Sequence, residues 1–328
     1  MVGAITSYSG ITRVRSHQAL ESLEIDGNLR RLEVGSLAPF LMSCSDKLQS
    51  VEGLEAKFWA HPKIGEALQM IGYASKVLRS DSLDPSISMT DLIKMIAQGS
   101  PWTRIQLDTS MMTKGVADAI VRHSAGNHLE AVEILHRGRS DSGPGMQGYH
   151  MQEILHRSPR LKTFLAHWLV DDVISDRDIL SSEWATRSLE HIDLKIAVFR
   201  PFDCAPIHVH MHSYDIQRQV LRRIGQQKKL RKLVIGGMTI GYFKKRIYRQ
   251  FECLEMNLES GLDELADLKE LVELDISEMN HRVRVPDLEW MARNFPSLER
   301  LSMGMSDRPL PADVTEWLRR HRPGWASY

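Results

Sequence analysis

A hydrophobic pattern that changes its period dominates residues 261–303. Leu262, Leu265, Leu268 and Leu271 recur at three-residue spacing, and the last of them begins the run LVELDI. The next stretch, DLEWMARNFPSLERLSM, repeats a helical part and then a run of the same LxxLxL type. A unit with a helical period followed by a period of two predicts a stacked α/β repeat. Such a unit cannot bury its apolar face alone, so copies must lie side by side.

Runs of the LxxLxL type recur along most of the chain. They read ALESLEID (19–26), NLRRLEV (28–34), HLEAVEI (128–134), RLKTFLA (160–166), SLEHIDL (188–194) and KLRKLVI (229–235). The run KLQSVEGLEA is a degraded further candidate, and WTRIQLD (102–108) alternates in the same way. As strands, these runs direct their apolar side chains inward and the intervening polar side chains outward.

Helical periodicity separates the strand-like runs. Residues 55–80 are expected to be helical, and so are the segments around Val220 and Leu288 and the segment that begins at Lys114. A shorter helix is expected to have its cap at Thr90 or Asp91 and to end at Gly99 and Pro101. The last helix is expected to be capped at Asp313 and to stop at Pro323.

Three segments depart from the alternation of helix and strand. RGRSDSGPGMQG (137–148) is rich in Gly and Ser and predicts a long loop within the array. FRPFDCAPIHVHMHSY (199–214) predicts an extended insertion that contains two prolines. LEMNL (254–258) predicts one more short strand.

The spacing of the repeats is irregular. Their first leucines, at Leu161, Leu189, Leu230, Leu271 and Leu298, are separated by 28, 41, 41 and 27 residues. Regular leucine-rich arrays repeat every 20–29 residues or so, and the longer steps fit the same unit with an inserted loop. The alternative is an ordinary α/β domain with amphipathic helices and strands. Because helix and then strand recur in one order, the pattern favours an α/β leucine-rich-repeat solenoid.

This solenoid is expected to occupy residues 1–328 as a single curved domain. Parallel strands line its concave face and helices its convex face. Degraded repeats are expected over 19–110, clearer repeats over 114–303, and a closing helical cap over 311–328.

Composition sets the broad class of protein. The 328 residues carry 42 basic and 42 acidic side chains, so net charge gives no general attraction to nucleic acid or anionic membranes. Three scattered cysteines do not form a disulfide framework. No apolar run approaches the roughly 20 residues that cross a bilayer, and the N-terminal residues do not look like a cleaved signal peptide. The expected location is therefore the cytoplasm or the nucleus.

LRKLVIGG and the run from LVELDISEMN to ERLSM resemble the leucine-rich-repeat part of F-box/leucine-rich-repeat proteins, particularly those of early-diverging fungi. In that family a Pro-x-Leu-x-Trp-Met helix and a Pro-x-Leu-x-x-Leu strand close the array. Here these elements are Pro286, Leu288, Trp290 and Met291, then Pro296, Leu298 and Leu301. The resemblance is good over 184–317, weaker over 114–166 and poor over 48–102.

The resemblance implies the substrate-binding part of an F-box-type ubiquitin-ligase receptor. In that family an N-terminal F-box of about 45 residues, opening with a Leu-Pro-x-Glu phrase, binds the Skp-type adaptor. No such phrase precedes ALESLEID, so the F-box is expected to be missing from this chain. A Skp-type adaptor is therefore an expected partner only if an F-box exists upstream. A stand-alone leucine-rich scaffold without ligase attachment is the alternative.

Candidate chemistry is sparse. His208, His210 and His212 would share one face of a strand and suit zinc or copper, but a solvated histidine edge is the more ordinary explanation. The glycine-rich runs GPGMQG (143–148) and IGGMTIG (235–241) lack the residues of a phosphate cradle and are more typical of a loop and a solenoid turn. No catalytic triad or metal motif stands out, so no enzyme, cofactor or metal is expected, and an α/β nucleotide-binding enzyme is the least favoured alternative.

A basic cluster lies in QQKKLRKLVI and its neighbours. It contains Arg222, Arg223, Lys228, Lys229, Arg231, Lys232, Lys244, Lys245 and Arg246. A nuclear-import signal or a phosphate-binding patch is one interpretation, and the solvated face of two neighbouring repeats is the more ordinary one.

The polar residues between the strand leucines define the expected binding surface. They are Glu24, Glu33, Glu133, Asp193, Asp275 and Ser302, with Lys195 and Ser277 one alternation further on. This row is mostly acidic although the chain is neutral. The prediction is a negative concave strip that binds a basic segment of a protein partner; a merely solubilising role is the alternative.

Overall fold

In a computed structural model, the structure describes residues 13–14, 22–24, 39, 41, 50–52, 77–79, 88–98, 102–126, 128–135, 146–166, 174–199, 206–235, 251–277, 283–303 and 310–325. The predicted strand at NLRRLEV, Glu33, most of the predicted helix 55–80, the run GGMTIG and Lys244, Lys245 and Arg246 lie outside these residues.

The strands are β1 Arg13–Val14, β2 Ser22–Glu24, β3 Ser50–Glu52, β4 Val77–Arg79, β5 Arg104–Asp108, β6 Ala131–Leu135, β7 Thr163–Leu165, β8 Ile174–Ser175, β9 His191–Asp193, β10 Ile196–Phe199, β11 Lys232–Val234, β12 Phe251–Cys253, β13 Glu273–Asp275 and β14 Arg300–Ser302. The helices are α1 Met89–Gln98, α2 Lys114–Ser124, α3 Gly148–Arg157, α4 Asp176–Ser181, α5 Pro206–Gly225, α6 Val285–Asn294 and α7 Ala312–His321. Short 3₁₀ helices cover Thr109–Met111 and Leu262–Leu265.

One eight-stranded sheet organises the fold. Its order is β4-β5-β6-β7-β9-β11-β13-β14, and every neighbouring pair in it is parallel. Each strand of this sheet therefore lies beside the strand of the same sheet that precedes it along the chain. A doubly wound α/β sheet would instead reverse its order at a switch point. This one-directional order is that of a solenoid, and the predicted α/β leucine-rich-repeat fold is confirmed.

The strand leucines form continuous buried ladders. One residue of each strand is in register with its neighbours: Leu78, Ile105, Val132, Phe164, Ile192, Leu233, Leu274 and Leu301, all at most 2% exposed. A second buried ladder lies one alternation further on, at Leu107, Ile134, Ala166, Leu194, Ile235, Ile276 and Met303. Its backbone bonds follow the same order, since the Leu194 N–H donates to the Val234 carbonyl and the Ile235 N–H to the Asp275 carbonyl, both at 3.0 Å.

Helices cover the ladder side of the sheet. Val116, Ala117 and Ile120 of α2 are fully buried in the same core as the ladders, because their spacing places them on one face of the helix. Successive helices pack against each other from α1 to α5, and α5 packs on the 3₁₀ helix that follows it in the layer. This last contact is very close, since a Cβ on Gly225 would lie 2.1 Å from the Glu264 carbonyl oxygen.

The helix α7 closes the C-terminal end of the stack. Val314 and Leu318 are buried, and the Trp325 indole N–H donates to the Leu298 carbonyl at 2.9 Å. The helix begins at Ala312, so Asp313 lies in its first turn and the predicted cap at Asp313 is wrong by one or two positions. The predicted stop before Pro323 is confirmed. The division of the whole chain into one domain with degraded, clearer and capping parts stays a prediction.

The other described strands form two small sheets. The chain leaves β9 and continues almost directly as β10, which pairs with β8 in parallel and with β12 antiparallel. Near the N-terminus, β2 pairs with β1 antiparallel and with β3 in parallel. The predicted strands in ALESLEID and KLQSVEGLEA therefore exist, but they form this separate sheet.

Several local predictions need correction. Leu78 lies in β4 and not in a helix, and α1 is capped by Ser88, whose hydroxyl accepts from the Asp91 N–H at 3.1 Å, so the cap is neither Thr90 nor Asp91. The predicted strand LEMNL is irregular, and the strand lies just before it in β12. The three-residue leucine spacing after Gly261 belongs to a 3₁₀ helix and turns, because a 3₁₀ helix has three residues per turn.

The segment IHVHMH is helical, not extended. It lies in α5, which begins at Pro206 and runs for 20 residues. Proline is favoured in the first turn of a helix because its missing N–H has no partner there in any case. The strand on which the predicted common face of His208, His210 and His212 depends is therefore replaced by a helix, which has no period of two.

Candidate functional site

The face of the main sheet opposite the ladders carries two rows of side chains. The amino-side row consists of the residues just before the first ladder: Arg104, Ala131, Thr163, His191, Lys232, Glu273 and Arg300. The carboxyl-side row consists of the residues just after it: Gln106, Glu133, Leu165, Asp193, Val234, Asp275 and Ser302. Strands line the concave side of a leucine-rich solenoid, so these two rows form the concave face.

The structure brings four of the predicted residues into one row. Glu133, Asp193, Asp275 and Ser302 all lie in the carboxyl-side row, in the order of their strands. Lys195 and Ser277 follow β9 and β13 by one alternation, as predicted. Glu24 lies in the separate N-terminal sheet, where it is in register with Arg13 and Glu52.

Sequence reasoning missed the two apolar members of the row. Leu165 is half-buried and lies in register between Glu133 and Asp193, and Val234 lies between Asp193 and Asp275. Acidic and apolar side chains therefore alternate along the row. The signal was present, since TFL and KLV carry an apolar residue where the other runs carry an acidic one.

Basic side chains of the amino-side row form ion pairs with Glu133 and Glu273. The Arg104 guanidinium pairs with Glu133, which is 6% exposed. Lys232 and Arg300 both pair with Glu273, the former at 2.9 Å. Burial alone would raise the pKa of Glu273, but its bonds to Lys232 and the charges of Lys232 and Arg300 outweigh burial and lower that pKa. The concave face is therefore partly neutralised from within.

Asp275 is held in a fixed orientation. Its Oδ1 accepts from the Ser277 N–H at 2.9 Å and from the Ser277 hydroxyl at 2.6 Å. Both bonds use the same oxygen and come from neutral donors, so they fix the rotamer of Asp275 without adding a cation to it. Asp193 is half-buried in the centre of the sheet.

Of the six described members of the basic cluster, four form ion pairs. Arg222 pairs with Glu264 at 2.8 Å, Lys228 pairs with Asp267 at 3.0 Å, and Arg223 pairs with Glu183 at 2.8 Å. These acids come from neighbouring units, so the pairs connect one repeat to the next. This arrangement favours the interpretation as a solvated face of two repeats, while Lys229 and Arg231 are exposed.

Buried polar groups concentrate on the helix side, around residues 255–260. Gln217 of α5 accepts from the Glu255 N–H at 2.6 Å, and Asn257 donates to the Glu255 carboxylate at 3.0 Å. Asp287, only 1% exposed, accepts from the Leu258 N–H at 2.9 Å and from the Arg284 N–H at 2.8 Å. These bonds satisfy backbone groups of an irregular segment and have a structural role.

His150 of α3 is fully buried and neutral. Its Nδ1 accepts from the Gln147 N–H at 3.0 Å, so its Nε2 carries the proton and donates to Asp118 at 3.1 Å. Burial lowers the pKa of His150 despite the opposing effect of Asp118. Burial also lowers the pKa values of His123 and His191.

These three histidines predict a loss of stability on acidification. Their folded-state pKa values lie below the ordinary 6.5, so the unfolded chain takes up protons first as the pH falls. The free energy of unfolding is expected to be highest above pH 7 or so and to fall as the pH drops through about 6.5 toward the folded pKa values. Urea-unfolding midpoints at pH 7.5 and 5.5 test this.

His150→Gln isolates one contribution. Glutamine can accept from the Gln147 N–H and donate to Asp118 without titrating. The variant should lose less stability than the wild type between the two pH values. An unchanged midpoint in the wild type, or an equal loss in both proteins, would contradict this role of His150.

Among the described residues, no group of three His, Cys, Asp or Glu side chains is placed to hold a metal ion. Within that part of the chain no helix combines the length and the hydropathy needed to cross a bilayer.

Comparisons with known proteins give structural matches only. No protein-family model matches the sequence, and no curated protein matches it. In the Drosophila Toll–Spätzle complex, 88% of this chain matches 31% of a chain at 13% identity and a TM-score of 0.33. In an internalin from Listeria monocytogenes, 85% of this chain matches 75% at 12% identity and a TM-score of 0.27.

A leucine-rich-repeat protein of Leptospira interrogans also matches. There 85% of this chain covers 72% of the other chain, at 11% identity and a TM-score of 0.23. The strand order and register of this chain are those of a leucine-rich-repeat solenoid of parallel strands and helices.

Proposed function

We propose that this protein is a recognition module that binds another protein on its concave face. The observation that carries the proposal is the pair of in-register side-chain rows across seven strands, opposite the helix-covered ladders. This face carries a long, in-register array of charged and apolar side chains, and Leu165, Asp193 and Asp275 in it are partly exposed. Extended concave surfaces of solenoids are suited to binding protein segments.

A binding role is favoured over an enzymatic one. Nucleotide-binding α/β enzymes use a crevice where the strand order reverses, and the described main sheet keeps one direction throughout. The buried carboxylates Glu255 and Asp287 accept hydrogen bonds from side-chain amide and backbone N–H groups, which is a structural role. No cofactor is part of the proposal.

The family resemblance of residues 184–317 supports a more specific role. We propose that the module is the substrate-binding part of an F-box-type ubiquitin-ligase receptor, acting in the cytoplasm or nucleus. Co-purification of a Skp-type adaptor with the full gene product tests this. Retention of a substrate without the adaptor would instead support a stand-alone leucine-rich scaffold.

Charge reversal on the concave face should abolish partner binding. In the variant Glu133→Lys, Asp193→Lys, Asp275→Lys, three cations replace the anions of the carboxyl-side row and repel a basic segment. Proteins captured from lysate by the wild type are compared with those captured by this variant through quantitative mass spectrometry.

The matched control reverses two exposed acids on helices, Glu289→Lys and Asp313→Lys. The control should retain what the wild type captures, and circular dichroism should show equal folding in all three proteins. Equal loss in the control, or retention by the concave variant, would refute the concave face as the binding site.

A further inference from the structure

The geometry points to a specific kind of segment on the concave face, and this inference rests on the proposed function. We propose that the carboxyl-side row binds a polyproline II segment that carries Lys or Arg at every third position. The segment crosses the strands and runs along the row from β6 to β13.

The charge of the carboxyl-side row determines the charge of the partner that it can bind. From β6 to β13 the row reads Glu133, Leu165, Asp193, Val234 and Asp275. All of its charges are negative, and each acid is separated from the next by one apolar side chain. A partner of complementary chemistry therefore presents a cation at every second strand and an apolar surface between the cations.

Spacing selects the conformation of the partner. Neighbouring strands lie about 4.7–4.9 Å apart, so acids on every second strand are about 9.6 Å apart at the backbone. A polyproline II helix advances about 9.3 Å in three residues and returns to the same face. An α-helix needs seven residues, about 10.5 Å, and drifts out of step by the third acid. On a concave surface the tips of the side chains converge. The carboxylates are therefore closer together than their backbones, and their spacing approaches the 9.3 Å or so of three polyproline II residues.

Backbone chemistry also favours this conformation. The strands β6 to β13 are paired on both sides, so their backbone groups cannot accept an added strand. A partner must therefore be recognised through side chains alone. A polyproline II segment needs no backbone hydrogen bonds, and its backbone stays solvated when it is bound. Half-buried Leu165 offers most of the apolar contact to proline rings and to the aliphatic stems of Lys or Arg, because Val234 is only 8% exposed.

Nearby cations determine how strongly each acid of the row attracts a basic partner. Arg104 already occupies Glu133, so this acid is expected to contribute least. The neighbouring amino-side row holds Lys232 and Arg300 against the single acid Glu273, and their excess positive charge opposes a basic partner. Removal of the Arg300 charge should therefore increase the attraction.

Synthetic peptides test the spacing directly. One peptide repeats Lys-Pro-Pro over three turns, about nine residues at three residues per turn. A control peptide has the same composition with its lysines consecutive. Binding of both to the purified full chain is measured by fluorescence anisotropy at low salt, because charge contacts at a surface weaken with ionic strength.

The triplet peptide should bind at least about tenfold more tightly than the control peptide. The variant Asp193→Asn, Asp275→Asn should remove this preference, whereas Arg300→Gln should strengthen binding of the triplet peptide. Equal binding of the two peptides, or no binding of either, would overturn the proposed spacing. A triplet preference that survives the Asp193 and Asp275 changes would place the peptide elsewhere and overturn the proposal as well.

These outcomes are separate from the test of the proposed function. If the charge-reversal variant loses its captured partners but the peptides bind alike, the concave face binds proteins and only the polyproline II geometry is wrong. If capture is unaffected by charge reversal, the proposed function itself fails.

Discussion

Replacing Phe164 with alanine is expected to lower the free energy of unfolding by about 3–5 kcal/mol. Phe164 is fully buried at the middle of the first ladder, in register with Val132 on one side and Ile192 on the other. Truncation leaves a cavity that the two neighbouring strands cannot fill, because their register is fixed by the ladder bonds. The change is measured as a shift of the urea-unfolding midpoint.

The adjacent residue supplies the control. Leu165 lies on the same strand but points to the concave face, and it is only half-buried. Leu165→Ala should cost much less, about 1 kcal/mol or below. Similar losses for the two variants would contradict the assignment of opposite faces to Phe164 and Leu165, and with it the position of the binding surface.

Asp287→Ala should be nearly as damaging, with an expected loss of about 2–4 kcal/mol. The change leaves the Leu258 and Arg284 N–H groups without their acceptor in a buried setting. It also removes the anion near the N-terminus of α6, where the helix dipole favours negative charge. The unfolding midpoint again gives the measurement.

Glu289→Ala is the matched control, since Glu289 is an exposed acid on the same helix. Its effect should stay within about 0.5 kcal/mol. Asp287→Asn keeps only one oxygen acceptor and should fall between the two. A neutral Asp287→Ala variant would show that the 255–260 segment does not depend on this carboxylate.

The sheet was largely predictable from the sequence. In runs such as RLKTFLA and SLEHIDL the LxxLxL positions are buried and the residues between them are half-buried or exposed, and this pattern specified both the strands and the faces of their residues. The units also follow one another along the sheet as they do along the chain. Local pattern was sufficient here because each unit contacts mainly its neighbours.

Predictions failed where local sequence was ambiguous. Pro206 suggested an extended segment, yet it stands at the first position of α5. Leu78 matched a helical spacing, but pairing with β5 placed it in a strand. For Leu78, pairing with a strand that lies further along the chain decided between two conformations that the local pattern allowed.

The candidate site was predictable in position but not in charge. Alternation placed Glu133, Asp193 and Asp275 on the concave face. It did not reveal that Arg104 neutralises Glu133, because this pairing depends on the register between β5 and β6. The alternation of these acids with Leu165 and Val234 along the row follows only from the register of the strands.

The small sheet of β8, β10 and β12 has a mechanical consequence. In most of a solenoid, tension on the two ends can peel the units away one at a time. Here the segments that follow β7, β9 and β11 are joined through β10. We therefore expect these three units to separate together under tension. The middle of the solenoid should then resist stretching longer than its ends.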